Sequence, residues 1–229
     1  IVNREEEIKN FKPEDYYNLK ALTDKFTLSW VSPKGNSNIF KEEVAKSILD
    51  KTKNPRGEVI DVTKSRKKKY SPALYDLTEL QRDANKIWGY SAKQTLNIMQ
   101  RLYENYKLLT YPRTDSRYIS SDILPTIPDR LRGISVGEYR AYADKLLKQG
   151  VKGNKSFVDN SKVSDHHAII PTEEKLNLGV LSSEEKNIYN LVVKRFLSVM
   201  LPPYEYEQTT IKVNINGEIF LAKGNMTLE

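Results

Sequence analysis

The spacing of apolar residues changes twice along this chain, and the change limits the folds that it can adopt. Residues 26–31 alternate apolar and polar side chains, as half-buried strands do, and residues 59–62 form a second strand candidate. Between residues 71 and 200 apolar side chains recur every three to four positions, which is the period of an amphipathic helix. The alternation returns from 204 to 222, with a hairpin turn signal at Asn216-Gly217. The pattern therefore predicts strands on both sides of a helical segment.

Several helix starts can be located from the sequence. A Ser or Thr followed three residues later by Glu or Gln predicts a helix start, because the two side chains can cap each other's backbone N–H groups. Outside the helical segment, a charged helix is predicted before Pro13 and a short amphipathic helix over residues 40–49. Within the helical segment, the capping-box pattern begins at Thr78, Ser91, Ser135 and Ser182.

The two helices that begin at Thr78 and Ser91 are separated only by a short turn containing Gly89. Two helices across a short glycine turn are a helix-turn-helix candidate. In that geometry Ser91, Lys93 and Gln94, at the start of the second helix, would meet nucleic acid. An ordinary αα-hairpin without a DNA contact is the commoner outcome of this pattern and stays open.

Charge and composition narrow the class of protein without identifying it. The net charge of +7 suits a polyanionic partner. The densest basic run, residues 64–69, is either a solvated loop or a phosphate contact. Because the chain has no cysteine, disulfides and thiolate zinc sites are excluded. No apolar run is long enough for a membrane span and the N-terminus lacks a signal-peptide layout, so we expect a cytoplasmic protein with no membrane partner.

One tyrosine stands in a setting that suits a nucleophile. Pro112 pushes the residue before it, Tyr111, towards an extended conformation. Arg113 lies two residues further on and therefore on the same face, where its charge can stabilise a phenolate or a phosphorane. The alternative is a structural tyrosine whose hydroxyl is satisfied by Asp115 or Ser116. For an isolated Tyr-Pro-Arg, that alternative is the commoner outcome.

The segment TYPRTDSRYIS, residues 110–120, closely resembles the active-site segment of type IA DNA topoisomerases, the topoisomerase III branch in particular. Residues 77–104 are similar to the family's segment that leads to the nucleophile. Residues 165–174, DHHAIIPTEE, resemble its histidine motif, and residues 1–17 resemble the entry to its arch. The matches are collinear over essentially the whole chain.

This resemblance implies an α+β fold, in which a mainly helical domain with a CAP-like helix-turn-helix element is inserted into a β-rich arch domain. The helical domain would span residues 71–200 and bear the nucleophile. The arch would be discontinuous, formed by residues 17–70 and 201–229. Residues 1–16 would be a connecting helix from a base domain that lies outside this chain.

The resemblance also implies the chemistry. Tyr111 would attack a DNA phosphodiester and form a 5′-phosphotyrosine intermediate, with Arg113 as its electrostatic partner and His166 as a second member of the site. One DNA strand would be cleaved and rejoined without ATP, which relaxes or decatenates DNA. Single-stranded DNA is the expected partner, and the residues expected to contact it are Ser91, Lys93, Gln94, Thr114, Asp115, Ser116 and Arg117.

The sequence departs from the family in its acidic residues. It contains no Asp-x-Asp-x-x-Gly cluster of the kind that holds Mg²⁺ in this family, and the two histidines have only Asp165 nearby as a further ligand. We therefore expect no metal bound by this chain, with Mg²⁺ and the proton donor for the leaving group supplied by another domain. The expectation is a monomeric central fragment, inactive alone, that works with the metal-binding and base domains of the same enzyme.

Three other protein classes share some of these features. In a tyrosine recombinase the nucleophile comes after the histidine and the arginines, whereas Tyr111 precedes His166. A non-enzymatic winged-helix DNA-binding module would account for the hairpin and the positive charge, but not for residues 110–120. For a protein-interaction scaffold without a nucleic-acid role, the only contrary evidence is the net positive charge of the chain.

Overall fold

The chain divides into two units, each with its own core. The computed structural model describes residues 1–53 and 56–228. Residues 1–68 and 204–229 form one unit, which we call the sheet unit, and residues 69–203 form the other, the helical unit. The predicted mixture of helices and strands is confirmed. The assignment of these units to an arch and an inserted domain stays a prediction.

The sheet unit contains a five-stranded sheet with the strand order β1-β2-β5-β4-β3. The pairs β1–β2, β2–β5 and β4–β5 are antiparallel. As predicted, Asn216 and Gly217 form the turn between the last two strands, and both have positive φ. The strands are β1 (Lys20–Leu22), β2 (Thr27–Val31), β3 (Gly57–Lys69), β4 (Tyr204–Ile215) and β5 (Glu218–Thr227).

One face of this sheet carries the core of the unit. Leu28, Trp30, Val213 and Phe220 are buried on it. Helix α2 (Glu42–Thr52) adds two buried apolar residues to the same cluster, whereas helix α1 (Val2–Asn10) has none. The predicted helices before Pro13 and around residues 40–49 are therefore present, with shifted ends.

The basic run 64–69 is not a loop. It forms the second half of β3, so the prediction of a solvated loop is wrong. Lys64 pairs with Glu207 at 3.1 Å and Lys68 with Glu205 at 2.8 Å, both on the neighbouring strand β4. Opposite charges that face each other across two strands stabilise the strand pairing. The glutamates lie far from the lysines in the sequence, so a pattern of neighbouring residues does not predict these pairs.

The helical unit contains five α-helices around a large apolar cluster. Short 3₁₀ turns at Leu124–Thr126, Gly137–Tyr139, Asn160–Lys162 and Leu178–Val180 connect parts of the chain between them. Within the described residues, no helix has both the length and the apolar character that crossing a bilayer requires. The helices are α3 (Leu77–Trp88), α4 (Ala92–Glu104), α5 (Ile127–Ile134), α6 (Arg140–Gln149) and α7 (Ser183–Met200).

Two of the four predicted helix caps are confirmed and two are wrong. Ser91 and Ser182 cap α4 and α7, and Ser182 forms a full capping box with Glu185. Helix α3 is capped by Asp76, not Thr78, because the Asp76 carboxylate is positioned to accept the Glu79 N–H at 2.7 Å. Ser135 does not start a helix, since it follows the end of α5, a helix that the sequence pattern did not predict. The helix predicted to begin at Ser135 is present as α6, but it begins at Arg140.

Helices α3 and α4 form a tight hairpin. Gly89, at φ +72°, ends α3 in the left-handed conformation that glycine adopts readily. The Asn85 side chain donates a hydrogen bond to the Tyr90 carbonyl and fixes the turn. The hairpin is therefore observed, while its use as a DNA-binding helix-turn-helix stays a prediction.

Candidate active site

The tyrosine segment is held in place by a second, distant segment. Thr110 N–H donates to the Ile170 carbonyl at 3.0 Å, and Ile170 N–H donates to Thr110 Oγ1 at 3.0 Å. Leu109 and Pro171 form an antiparallel bridge, and the Ala168 N–H donates to the Tyr118 carbonyl at 2.8 Å. Residues 108–118 are thus joined along their length to residues 166–172, which places the histidine motif beside Tyr111.

Burial alternates along the tyrosine segment, as extended backbone requires. Tyr111 and Arg113 lie on the same exposed face, which agrees with the conformation predicted from Pro112. The segment therefore presents a phenol and a guanidinium to the same solvent region. Tyr111, Arg113 and Asp115 are exposed, whereas Pro112, Thr114 and Ser116 are buried.

Tyr111 lies in an open cavity of about 600 Å³. Tyr111 is 36% exposed, so an incoming substrate can reach this residue. The His166 ring lies against it with ring centroids 4.3 Å apart, and the Tyr103 ring contacts it edge-on at 5.6 Å. The cavity is lined by Tyr103, Lys107, Leu109, Thr110, Tyr111, His166 and Thr172.

The two adjacent histidines have different surroundings. His166 is exposed and lines the cavity, and its backbone carbonyl accepts a hydrogen bond from Thr114 Oγ1 at 3.1 Å. His167 turns away and its Nδ1 lies 2.7 Å from the Ala168 carbonyl. Burial lowers the pKa of His167, which favours its neutral form. Of the two rings, the structure places only that of His166 beside Tyr111.

The two arginines of the segment also differ. Among the described residues, Arg113 is exposed and forms neither an ion pair nor a side-chain hydrogen bond, so its charge is available to an anionic ligand. Arg117 is half-buried and its Nε donates to the Leu74 carbonyl at 3.2 Å. Arg117 therefore supports the local fold.

Two of the predicted DNA-contacting hydroxyls lie inside the protein. Thr114 is 7% exposed and Ser116 is 5% exposed. Ser116 Oγ donates to the Lys162 carbonyl at 2.7 Å, and the Thr114 hydroxyl also accepts the Ser116 N–H at 3.1 Å. This placement favours a role in holding the segment, and of the four residues that follow Arg113 only Asp115 is exposed.

The start of α4 lies at a separate cavity of about 270 Å³, which shares no lining residue with the cavity of Tyr111. Ser91 caps the helix by accepting the Gln94 N–H at 3.1 Å. The Gln94 side chain donates to Glu184 at 3.0 Å, and Lys93 is exposed. The three predicted hairpin contacts are therefore close to one another but are not part of the tyrosine site.

The sequence patterns did not single out Tyr103 and Lys107 as site residues. Tyr103 was visible only as one member of the apolar stripe of α4, and Lys107 is one of many lysines. Both reach the cavity because the chain leaves α4 and turns directly into the tyrosine segment. A search for cations just before the tyrosine would have found Lys107.

No group of three or more His, Cys, Asp or Glu side chains capable of holding a metal ion occurs in residues 1–53 and 56–228. The residues present therefore do not fit a Mg²⁺ site.

A family model described as DNA topoisomerase matches residues 1–229. A Bacillus cereus protein named DNA topoisomerase 3 is 55% identical over 229 residues, which is all of this chain and 31% of that protein. A Bacillus subtilis protein of the same name is 49% identical over 225 residues, 98% of this chain and 31% of that protein. The chain thus spans about a third of the length of these curated relatives.

A solved structure has the same fold. Full-length topoisomerase I from Thermotoga maritima matches 99% of this chain and 36% of its own, with a TM-score of 0.68 and 24% sequence identity. At that identity the likeness concerns the fold alone.

Proposed function

Because this chain belongs to the type IA DNA topoisomerase family, we propose that it carries the nucleophile with which the enzyme cleaves and rejoins one DNA strand. The observation that supports this most directly is Tyr111, an exposed phenol on an extended segment, in a cavity with His166 and on the same face as Arg113.

The proposed reaction is a transesterification. The Tyr111 oxygen attacks a DNA phosphorus, the bond to the 3′-oxygen breaks, and the 5′-phosphate remains on the phenol. Rejoining reverses the step, so the bond energy is conserved and ATP is not needed. A free tyrosine with a pKa near 10 is ionised about one part in a thousand at neutral pH, a deficit of ~4 kcal/mol. The enzyme must offset that deficit.

Arg113 and His166 have the positions to contribute. The Arg113 guanidinium can stabilise the developing phosphorane and the phenolate, since no other side chain of the described residues engages it. His166, in contact with the nucleophile's ring, can hydrogen-bond a phosphate oxygen. The leaving 3′-hydroxyl needs a proton donor, and Mg²⁺ needs carboxylate ligands. We assign both to other domains of the enzyme.

The substrate that fits this site is single-stranded DNA, because an unpaired strand can enter a surface cavity of this size and bring one phosphate to Tyr111. Relaxation and decatenation follow if another strand passes through the break. We propose that the enzyme acts as a monomer on the chromosome in the cytoplasm.

The test is covalent capture of DNA by the full-length gene product. Wild-type protein is mixed with an end-labelled single-stranded oligonucleotide, denatured and separated by gel electrophoresis. We expect a labelled protein band that disappears in Tyr111→Phe and persists in Tyr142→Phe, an exposed tyrosine of the same unit. If Tyr111→Phe retained the adduct, Tyr111 would not be the nucleophile. Binding without any adduct in the wild type would favour the winged-helix module.

A further inference from the structure

A lysine lies in the tyrosine cavity without a counter-charge. Lys107 is exposed and lines the cavity, whose seven lining residues include no carboxylate. Among the described residues, its ammonium forms no ion pair. An isolated cation beside a phenol and an imidazole leaves a net positive site, and such a site is complementary to an anion.

The backbone holds Lys107 in an unusual conformation. Its φ is +56°, in the left-handed region that residues with a side chain rarely adopt. The Leu108 N–H donates to the Leu102 carbonyl at 2.9 Å, and Thr172 Oγ1 donates to the Lys107 carbonyl. The N–H and the carbonyl of the peptide between Lys107 and Leu108 are therefore both hydrogen-bonded, which holds the backbone from which the Lys107 side chain extends. Backbone strain of this kind concentrates at functional sites, where surrounding contacts hold it.

The Tyr103 ring links this cation to the nucleophile. Lys107 Nζ lies 5.8 Å from the Tyr103 ring centroid, within the range of a cation–π contact. The same ring contacts Tyr111 edge-on at 5.6 Å. Lys107 and Tyr111 thus flank one aromatic side chain and face one cavity. A DNA strand carries phosphates at close, regular intervals, so a strand with one phosphate at Tyr111 presents another near Lys107.

We infer that Lys107 is a further phosphate-binding residue of this site, which binds a backbone phosphate adjacent to the one that Tyr111 attacks. This inference rests on the proposed function. Lys107 would touch the substrate without touching the reacting atoms. Its effect should therefore fall on the binding of the strand and not on the rate of the chemical step.

The test compares Lys107→Gln with Lys145→Gln, an exposed lysine of the same unit outside the cavity. Binding of a fluorescent single-stranded oligonucleotide to the full-length gene product is measured across a series of salt concentrations. We expect Lys107→Gln to raise Kd about tenfold. The slope of log K against log salt should become shallower by about 0.7, the value for one phosphate contact on a single strand. Lys145→Gln should change neither.

Two further variants separate binding from folding. Lys107→Gly relieves the left-handed backbone, so it should keep or raise Tm while weakening binding as much as Lys107→Gln does. Lys107→Arg should restore the salt slope. An unchanged slope in Lys107→Gln overturns the inference, and so does normal binding by Lys107→Gly. Loss of the adduct in Tyr111→Phe is scored separately, so a failure of the proposed function can be distinguished from a failure of this one.

Discussion

At the scale of single residues, the site depends on which polar side chains are free. Arg113 has no protein partner among the described residues, whereas Arg117 donates to the Leu74 carbonyl. Similarly, the His166 ring faces Tyr111, while His167 lies against the Ala168 carbonyl. In each pair one residue is available to a substrate and the other supports the fold.

The two arginines should therefore respond differently to truncation. Arg113→Ala is expected to lower the rate of covalent adduct formation about 10²–10³-fold, as removal of a transition-state donor does, with unchanged Tm. Arg117→Ala should instead lower the free energy of unfolding by about 1–3 kcal/mol, because the Leu74 carbonyl loses its partner. Single-turnover cleavage and urea unfolding measure the two effects. A reversed pattern would contradict the assignment.

The histidines give a second matched pair. His166→Ala should lower the cleavage rate about 100-fold if the ring bonds the phosphate or moves a proton. His167→Gln, which keeps a side chain able to bond the Ala168 carbonyl, should leave the rate near that of the wild type. Equal losses in both variants would indicate that the loop, and not the His166 ring, is required.

At the scale of secondary-structure elements, the helix ends show where local patterns succeed. Ser182 and Glu185 form the capping box that the sequence predicts for α7. Glu185 also accepts a hydrogen bond from Arg101 of α4 at 2.8 Å, so the same carboxylate ties two helices together. The pattern predicts the cap but not this second contact.

The corrected cap of α3 is directly testable. Asp76→Ala should lower the free energy of unfolding by about 1 kcal/mol, since the Glu79 N–H loses its acceptor. Thr78→Ala should leave the free energy of unfolding unchanged or raise it by a few tenths of a kcal/mol, because Thr78 lies inside the helix, where alanine is favoured. Chemical denaturation of both variants distinguishes them. A larger cost for Thr78→Ala would restore the cap predicted from the sequence.

Glu185 also gives the helical unit an acid sensitivity. Burial raises the pKa of its carboxyl, but hydrogen bonds from Arg101 and Ser182 more than offset this, so the pKa lies below the ordinary value of 4.5. The unfolded chain therefore binds more protons in acid. The contribution of Glu185 to stability is complete above about pH 4.5 and is lost as the pH falls through the folded pKa.

The expected result is a weaker acid dependence in Glu185→Gln. The variant should be less stable than wild type by about 1–3 kcal/mol at pH 7, and the difference should shrink below pH 4.5. Urea unfolding from pH 7 to pH 3 measures this. A difference that stayed constant with pH would mean that the carboxylate charge is not involved.

At the scale of the whole molecule, the chain builds two separate apolar cores. The sheet unit has a small cluster on one face of its sheet, and the helical unit has a much larger one. The helical unit is a single stretch of chain, and Ser71 near its start hydrogen-bonds Ser198 near its end at 2.7 Å. A continuous segment with its own core and neighbouring ends is able to fold alone.

Residues 69–203 should accordingly fold without the sheet unit. We expect the excised segment to give a helical far-UV circular dichroism spectrum and a single cooperative thermal transition. A disordered segment would show that the larger core depends on the rest of the chain. Its Asp76→Ala variant should have a lower Tm, which would link the transition to native packing.

The sequence by itself determined the order of strand-rich and helix-rich stretches, although it missed α5, and it predicted that Tyr111 and Arg113 share a face. Both follow from short-range causes: apolar periodicity, and the restriction that Pro112 places on its neighbour. The sequence patterns did not predict the cap of α3 or the full length of β3. The first depends on which of two nearby side chains caps the helix, and the second depends on partners on the neighbouring strand.

The resemblance implied that His166 belongs to the site, but only the tertiary structure shows its ring against Tyr111 and places Tyr103 and Lys107 in the same cavity. The contact with His166 depends on hydrogen bonds between residues 108–118 and 166–172, two segments that no periodicity relates to each other. The same contacts bury Thr114 and Ser116, which the motif alone predicts to be DNA-contacting residues. Local sequence fixes the shape of a segment, whereas long-range packing decides which of its side chains remain free to react.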